Sequence, residues 1–312
     1  MKKRDRIAVC SRSFSRHSRL RGELLARYEH VTFNDSGRQL EGDELVAFLR
    51  GHDKAITALE KITDTILAQL PELKVIGKYG VGLDMIDKEA MRRHGKRLGW
   101  TGGVNRRSVS EMVIAFAVTM LRHFPVAHRE VLSGTWRQHV GGLLSGRAVG
   151  IIGCGFIGKD LVSLLQPWGC TLLAHDILDF PEFYAAHGVE AVSLEGLLSR
   201  SDVVTLHVPL DDSTRDMLSV NRLGLMKPSA ILINAARGGL IDEAEVKAML
   251  QSNRLAAAAF DVFTIEPPDD MELLNLPNFL VTPHIGGSAE EAILAMGRAA
   301  IEGLEIDSDS LM

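Results

Sequence analysis

Three polar residues in the second half of the chain, Arg237, Glu266 and His284, each stand a few positions past a short apolar run. The runs are Ile231–Ala236, a second ending near Phe263, and Leu280–Thr282 followed by Pro283. Runs of this length bounded by turn residues read as buried strands. In a doubly wound sheet the carboxyl ends of parallel strands open onto the ligand crevice. Three strand ends are therefore expected to deliver a guanidinium, a carboxylate and an imidazole to one side. That set suits hydride transfer at a carbinol carbon next to a carboxylate. Oxidation needs a base for the hydroxyl proton, and imidazole titrates near neutrality. A neighbouring Glu would hold one tautomer and favour the protonated ring. An Arg grips a planar carboxylate by paired hydrogen bonds and polarises the reacting oxygen. Singly, each has a plainer reading: a surface ion-pair residue, a solvated loop acid before Pro267-Pro268, and a turn or core histidine. Their shared placement past strand ends is what argues for a site.

A second signal precedes them. Gly153-Cys-Gly155-Phe156-Ile157-Gly158 fits G-x-G-x-x-G. With 29 glycines in the chain the bare match says little, but its context is specific. It follows the apolar run Ala148–Gly153, opens a helix to about Trp168, and precedes a strand, Thr171–Asp176, that ends in an acid. Gly153 allows the tight turn, Gly155 lets the backbone approach a pyrophosphate, and Gly158 lets the helix pack closely. The helix N-terminus offers unpaired N–H groups and positive dipole to phosphates. Asp176 can accept from both ribose hydroxyls and repels a 2′-phosphate, with Ile177 offering no compensating cation, so NAD is expected rather than NADP. His207, in Val203–Pro209, is a rival base. It lies nearer the half of the sheet that should hold adenosine, and reads as a buried histidine or cofactor neighbour.

These groups need an α/β frame. Apolar runs at Ile7–Cys10, Lys54–Ala58 and Leu73–Gly77 read as strands of a small first unit, with a helix over Glu60–Leu70 on the spacing of Ile62, Ile66, Leu67 and Leu70. Ser108–Phe124 reads as a long apolar helix, with Asn105 as N-cap and Ser108/Glu111 as a capping box, buried between layers or at a subunit interface. Further runs at Val203–Val208, Ile231–Asn234, Ala256–Val262 and Phe279–Thr282, alternating with helices such as Glu243–Ser252, indicate a parallel sheet covered on both faces. Trp136 falls in a polar loop. The chain has 312 residues, 46% hydrophobic and 24% charged, with net charge −5, enough for two domains and without the basic excess that would invite nucleic acid or an anionic membrane. No run of about 18 apolar residues would span a membrane. Cys10, Cys154 and Cys170 match neither a disulfide framework nor a metal site, so no metal and a reducing, cytoplasmic setting are expected.

The motifs in order resemble the D-isomer-specific 2-hydroxyacid dehydrogenase family, in particular its 3-phosphoglycerate dehydrogenase-like members. Besides the glycine motif they are His207-Val208-Pro209, Leu225-Met-Lys-Pro228, Ile233-Asn-Ala235-Ala236-Arg-Gly238, Asp261-Val-Phe-Thr-Ile-Glu-Pro267 and Thr282-Pro-His-Ile-Gly286-Gly287, with Lys78-Tyr79-Gly80-Val81-Gly82-Leu-Asp84 and Ser108-Val-Ser-Glu111 earlier. The resemblance spans about Leu73 to Ala292. It implies an α/β fold of two domains with a cleft between them: a Rossmann-type doubly wound parallel sheet over 105–284, and a smaller flavodoxin-like substrate domain from 1–104 plus 285–312. Arg237, Glu266 and His284 take the catalytic places. Cofactor contacts fall on the glycine loop, Asp176, His207 to Pro209, Thr214, Ala235, Ala236, His284, Gly286 and Gly287, with Asp261 toward the nicotinamide amide. Backbone N–H groups of Tyr79–Gly82 take the substrate carboxylate. A homodimer through the cofactor domain is implied, using the Ser108–Phe124 helix. Met85 departs from the Asn of many relatives. With the chain stopping at Met312, a C-terminal regulatory domain and serine feedback are not expected.

Lys78, Arg106 and Arg107, with Lys61 a weaker candidate, are cations expected near the cleft mouth. They motivate a small anionic 2-keto acid, including phosphorylated ones such as 3-phosphohydroxypyruvate. The plainer reading of these cations is solvated surface charge. Two alternatives stand beside the dehydrogenase: a phosphite dehydrogenase-like enzyme, and a non-enzymatic NAD(H)-sensing protein on the same fold.

Overall fold

Strands of three to seven residues form two all-parallel sheets in a computed structural model that describes residues 2–305. The chain divides into two units, one up to Asn105 and again from Glu290 onward, the other Arg106–Ala289.

The first unit holds β1 (Lys3–Val9), β2 (Tyr28–Phe33), β3 (Lys54–Thr57), β4 (Val75–Lys78) and β5 (Arg97–Gly99) in the order β2-β1-β3-β4-β5. This is the flavodoxin-like order. The three strands expected from sequence are β1, β3 and β4. The two missed, β2 and β5, are the edges. An edge strand keeps polar residues in water, so Tyr28–Phe33 and Arg97–Gly99 carry no continuous apolar run. The helix expected over Glu60–Leu70 shrinks to Asp64–Leu67, capped by the Thr63 hydroxyl. Ile62 is instead drawn into a parallel bridge with Ile86, its N–H on Met85 O and its C=O on Asp87 N–H. Its apolar positions are buried as the spacing requires. The helix Glu290–Gly303 returns the chain to this sheet. A Cβ on Gly77 would fall 2.3 Å from the Ala300 oxygen, and one on Gly99 2.1 Å from that of Gly303, so both glycines are needed for the helix backbone to lie on β4 and β5.

The second unit holds β6 (Ala148–Ile152), β7 (Thr171–His175), β8 (Val189–Ala191), β9 (Val203–Leu206), β10 (Ile231–Asn234), β11 (Ala257–Phe260) and β12 (Phe279–Val281), in the order β12-β11-β10-β9-β6-β7-β8. The order reverses between β6 and β9, which places a ligand crevice at their carboxyl ends. Side chains alternate between two cores. Ile231 and Ile233 pack with Val113, Ala117 and Leu161, whereas Leu232 packs with Leu197, Val246 and Phe260. Burial on both faces is why these strands read as unbroken apolar runs. The short edge strand β8 gave no such signal.

The helix expected at Ser108–Phe124 runs Arg106–Leu121 and breaks at His123, whose φ of 55° is left-handed. A second helix follows at Phe124–Leu132 with Pro125 in its first turn. The first helix is buried between layers, one of the two placements expected for it: Val109, Val113, Phe116 and Ala117 lie in its own unit's core. The expected cap, in contrast, is not formed. The Asn105 Oδ1 is buried without a partner, and the Ser108 hydroxyl donates to Gly286 O at 2.6 Å. That bond also moves the expected boundary from 284/285 to 289/290. Ile285 and Gly286 donate to Asp261, and Ala289 N–H reaches Ser108 Oγ, so the segment stays with the second sheet. Among the described residues no single helix is long and apolar enough to cross a membrane, and no three metal-ligating side chains cluster. All three cysteines are free.

Candidate active site

The glycine loop after β6 has the shape of a phosphate cradle. At Gly153 (φ 94°) a Cβ would sit 2.7 Å from the His207 oxygen, and at Gly158 2.2 Å from the Gly153 oxygen. Both glycines are forced by close backbone packing. At Gly155 a Cβ would meet nothing within 4 Å, so its space faces outward. Gly155 also caps the helix Phe156–Leu165 without any side-chain hydrogen bond, leaving the first-turn N–H groups, including those of Phe156 and Ile157, to an external acceptor. Asp176, just past β7, accepts from Cys154 N–H at 2.6 Å and from Leu178 N–H at 2.8 Å. Its carboxylate is thereby fixed against the loop with lone pairs remaining for a diol. These residues fit a dinucleotide, and Ile177, 96% exposed, leaves no cation for a 2′-phosphate.

Past the ends of β10, β11 and β12 lie the three catalytic candidates. Asn234, 1% exposed, closes the turn after β10: its Oδ1 accepts Ala236 N–H and its Nδ2 donates to Arg237 O. Arg237 Nη1 donates to Ala236 O at 2.7 Å. A Cβ on Gly238 would lie 2.0 Å from the Phe263 carbonyl carbon, so the turn after Arg237 lies flat on the loop that carries Glu266. Glu266 accepts Phe263 N–H at 3.1 Å through Oε1, and His284 Nδ1 stands 2.9 Å from its Oε2. The His284 side chain keeps 50% of its surface exposed, so the rest of the ring faces outward.

His284 adopts a left-handed φ of 54°, uncommon outside glycine. The strain is held by its N–H, which donates to Asp261 O and Thr282 O, and by the Asp261 carboxylate. Asp261, 2% exposed, accepts from the Thr282 hydroxyl, Ile285 N–H and Gly286 N–H. Asp261 thus has a role within the protein beside the one expected toward the cofactor amide. Sequence reasoning missed this and the role of Asn234. A lone polar residue closing a buried apolar run was the available signal, since buried polar groups need partners.

Other expected positions lie as follows. Ala235 and Ala236 are buried beside the β10 turn, and Gly287 follows Gly286 in the loop after β12. The Thr214 hydroxyl donates to Pro209 O, shaping the His207–Pro209 segment. His207 Nδ1 is buried without a partner, and Nε2 meets Thr205 Oγ1 at 3.0 Å. Burial pushes this imidazole down to about 3, so it is neutral at working pH and does not serve as the base. In the first unit, Tyr79–Gly82 follows β4, with Gly80 at φ 111° and Val81 O accepting Trp100 Nε1–H. Lys78 departs from its expected role. It is 5% exposed, and its ammonium donates to Ala58 O at 2.7 Å and Tyr79 O at 3.2 Å. Arg107 forms a two-pronged pair with Asp160 at 2.9 and 3.0 Å, and Arg106 Nε lies 3.9 Å from the same carboxylate.

Residues 114–286 match the D-isomer specific 2-hydroxyacid dehydrogenase family, over its NAD binding domain. The chain belongs to this family. It is similar to D-3-phosphoglycerate dehydrogenase of Methanocaldococcus jannaschii, 38% identical over 248 residues, which cover 78% of this chain and 47% of that protein. It is also similar to hydroxypyruvate reductase of Thermotoga maritima, 34% identical over 277 residues, 86% of this chain and 88% of that one. A solved structure of the pyruvate reductase of Chlamydomonas reinhardtii superposes with a TM-score of 0.81 at 28% identity, covering 96% of this chain and 95% of the other. The chain spans about half the length of the phosphoglycerate dehydrogenases it matches. The family's two-domain α/β fold is thus present, with a Rossmann-type NAD-binding sheet.

The depressed His207 has a consequence for stability. Neutral in the fold, it takes up a proton in the unfolded chain below its ordinary value near 6.5. Its contribution is present above pH 6.5 and is lost as pH falls from there toward 3. Relative to His207→Gln, the wild type should lose up to about 2–3 kcal/mol of stability between pH 6.5 and 4.5. Denaturant titrations at several pH values test this, and a difference that does not change with pH would contradict it.

Proposed function

We propose that the chain is an NAD-dependent dehydrogenase that moves a hydride between NAD(H) and C2 of a small D-2-hydroxy or 2-keto acid. The observation that carries this is the 2.9 Å pairing of His284 Nδ1 with Glu266, at the carboxyl ends of adjacent strands of an NAD-binding sheet. NAD, when bound on the glycine loop and Asp176, supplies the two-electron acceptor at C4 of its nicotinamide ring. With Nδ1–H engaged by Glu266, Nε2 is the ring nitrogen left for substrate. In oxidation, His284 Nε2 takes the C2 hydroxyl proton as hydride leaves C2, and Glu266 stabilises the resulting imidazolium. In reduction the protonated ring returns that proton to the carbonyl oxygen. Arg237 holds the substrate carboxylate and polarises the C2 oxygen.

The substrate reading narrows from the one the cations first suggested. Lys78 spends its ammonium on backbone carbonyls, and Arg107 and Arg106 both pair with Asp160, so all three candidate phosphate-binding cations are engaged. A short, uncharged tail is favoured, and the similarity to a hydroxypyruvate reductase along most of both chains agrees with it. For assembly, a homodimer is proposed through the helix Phe124–Leu132 and the loop after it, in place of the helix before. Leu132, Trp136, Val140 and Leu143 are 75, 85, 94 and 70% exposed there, an apolar surface unusual for a monomer.

In a panel of 2-keto acids with NADH, short uncharged-tail acids such as hydroxypyruvate and glyoxylate should react faster than 3-phosphohydroxypyruvate. A phosphorylated acid that wins overturns the substrate reading, and no turnover with any acid despite tight NADH binding would favour a sensor. His284→Ala should lower kcat by about 10²–10⁴-fold with NADH affinity within about twofold; undiminished turnover removes its role. For the dimer, Leu132→Asp combined with Trp136→Asp should halve the mass measured by light scattering, and a wild type that is already monomeric refutes the interface.

A further inference from the structure

We propose that Glu243, which takes no part in the chemistry above, is a positioning residue that holds Glu266 against His284. The inference rests on the proposed dehydrogenase reading for its catalytic consequence, but its geometry stands independently.

The loop that carries Glu266 is exposed from Thr264 to Pro267. Val262 and Phe263 are buried, but Ile265 leaves 65% of its surface exposed, and Pro267 and Pro268 have no N–H to donate. The anchors come from the helix Glu243–Gln251. Glu243 Oε1 accepts both the N–H and the hydroxyl of Thr264, each at 2.8 Å, two residues before Glu266. One turn on, Lys247 Nζ donates to Asp270 Oδ2 at 2.8 Å, beyond the other end of the loop. Residues i and i+4 share a helix face, so one face grips Thr264 on one side of Glu266 and Asp270 on the other. The helix is itself well seated. Asp242 caps it through Glu245 N–H, and Val246, Met249 and Leu250 are buried in the core.

The two grips differ in weight. Glu243 makes two charge-assisted bonds from a partly buried position, whereas the Lys247–Asp270 pair is 25 and 39% exposed and more screened. Glu243 is also the sixth residue after Arg237. Together with the close approach of Gly238 to Phe263 and Thr264, it ties the loop bearing the carboxylate to the segment bearing the guanidinium. A misplacement of about 1 Å at a reacting group costs up to roughly 10²-fold in rate. The grip is therefore expected to be felt in turnover and in the pairing of His284, not in cofactor affinity.

The test compares Glu243→Ala, Glu243→Gln and Thr264→Val in the full chain. Two readouts are used: kcat with the best 2-keto acid, and the pH titration of the His284 ring followed by NMR without substrate. Glu243→Ala should lose about 10–10²-fold in kcat and move the His284 titration, with NADH affinity unchanged. Glu243→Gln, whose carbonyl can accept the same two donors, should restore both to within a few-fold. Thr264→Val removes only the hydroxyl bond, and should move both in the same direction by less, which keeps the test decisive if Glu243→Ala fails to fold. Wild-type kcat and an unmoved His284 titration in Thr264→Val or Glu243→Ala overturn the proposal, as does a Gln variant as impaired as the Ala variant. A wild type inactive on every acid, with the His284 titration still moved by Glu243→Ala, would sink the dehydrogenase reading and leave the positioning role standing.

Discussion

The carboxylate of Asp261 is the group on which the site depends. A buried charge without compensation costs several kcal/mol. Here it is met by three donors, the Thr282 hydroxyl and two backbone N–H groups, all from the segment after β12. Those bonds bend that segment back over the end of β11. The bend puts His284 into a left-handed conformation and aims its ring at Glu266. Without the carboxylate, neither the positive φ nor the His284–Glu266 contact has a reason to persist, since strain of this kind survives only where its surroundings over-determine it.

The rest of the second unit divides its work between binding and aiming. The glycine loop leaves space at Gly155 and unpaired N–H groups at a helix start, and Asp176 closes the loop by taking the Cys154 N–H. Across the reversal in strand order, Asn234, Gly238 and the loop after β11 form a set of backbone-to-backbone and side-chain clamps. These groups are preorganised in the protein alone, which is the arrangement that electrostatic catalysis favours. His207 sits between the two halves, neutral and buried at Nδ1, contributing backbone shape more than charge.

Charge at the surface carries less meaning than its count suggests. Lys78, Arg106 and Arg107 look like an anion-binding cluster in the chain, yet one is spent on carbonyl oxygens and two share Asp160. A lysine buried with its ammonium on two backbone oxygens works as a cross-link between the ends of β3 and β4. The same caution applies to the apolar helix Arg106–Leu121, whose hydrophobic faces are consumed by its own sheet, while the shorter helix after it leaves its side chains outside.

Most of the frame was legible in the residues because it rests on local rules. Strands buried on both faces must be continuous apolar runs, and a phosphate loop must have glycine where a Cβ would collide, so β6, β7, β9 to β12 and Gly153–Gly158 follow from type and spacing. Arg237, Glu266 and His284 were visible for the same reason, as polar residues just past such runs. Edge strands β2, β5 and β8 were hidden because half-exposed pairing leaves no apolar signature, and the Glu60–Leu70 helix was misjudged because Ile62 found a strand partner at Ile86, distant in the chain. Which cations are free, where the unit boundary falls, and which acid holds which loop were decided only in three dimensions. Asp261, Glu243 and Lys78 act through partners roughly 20 residues away, and sequence spacing carries no record of a hydrogen bond made across a sheet.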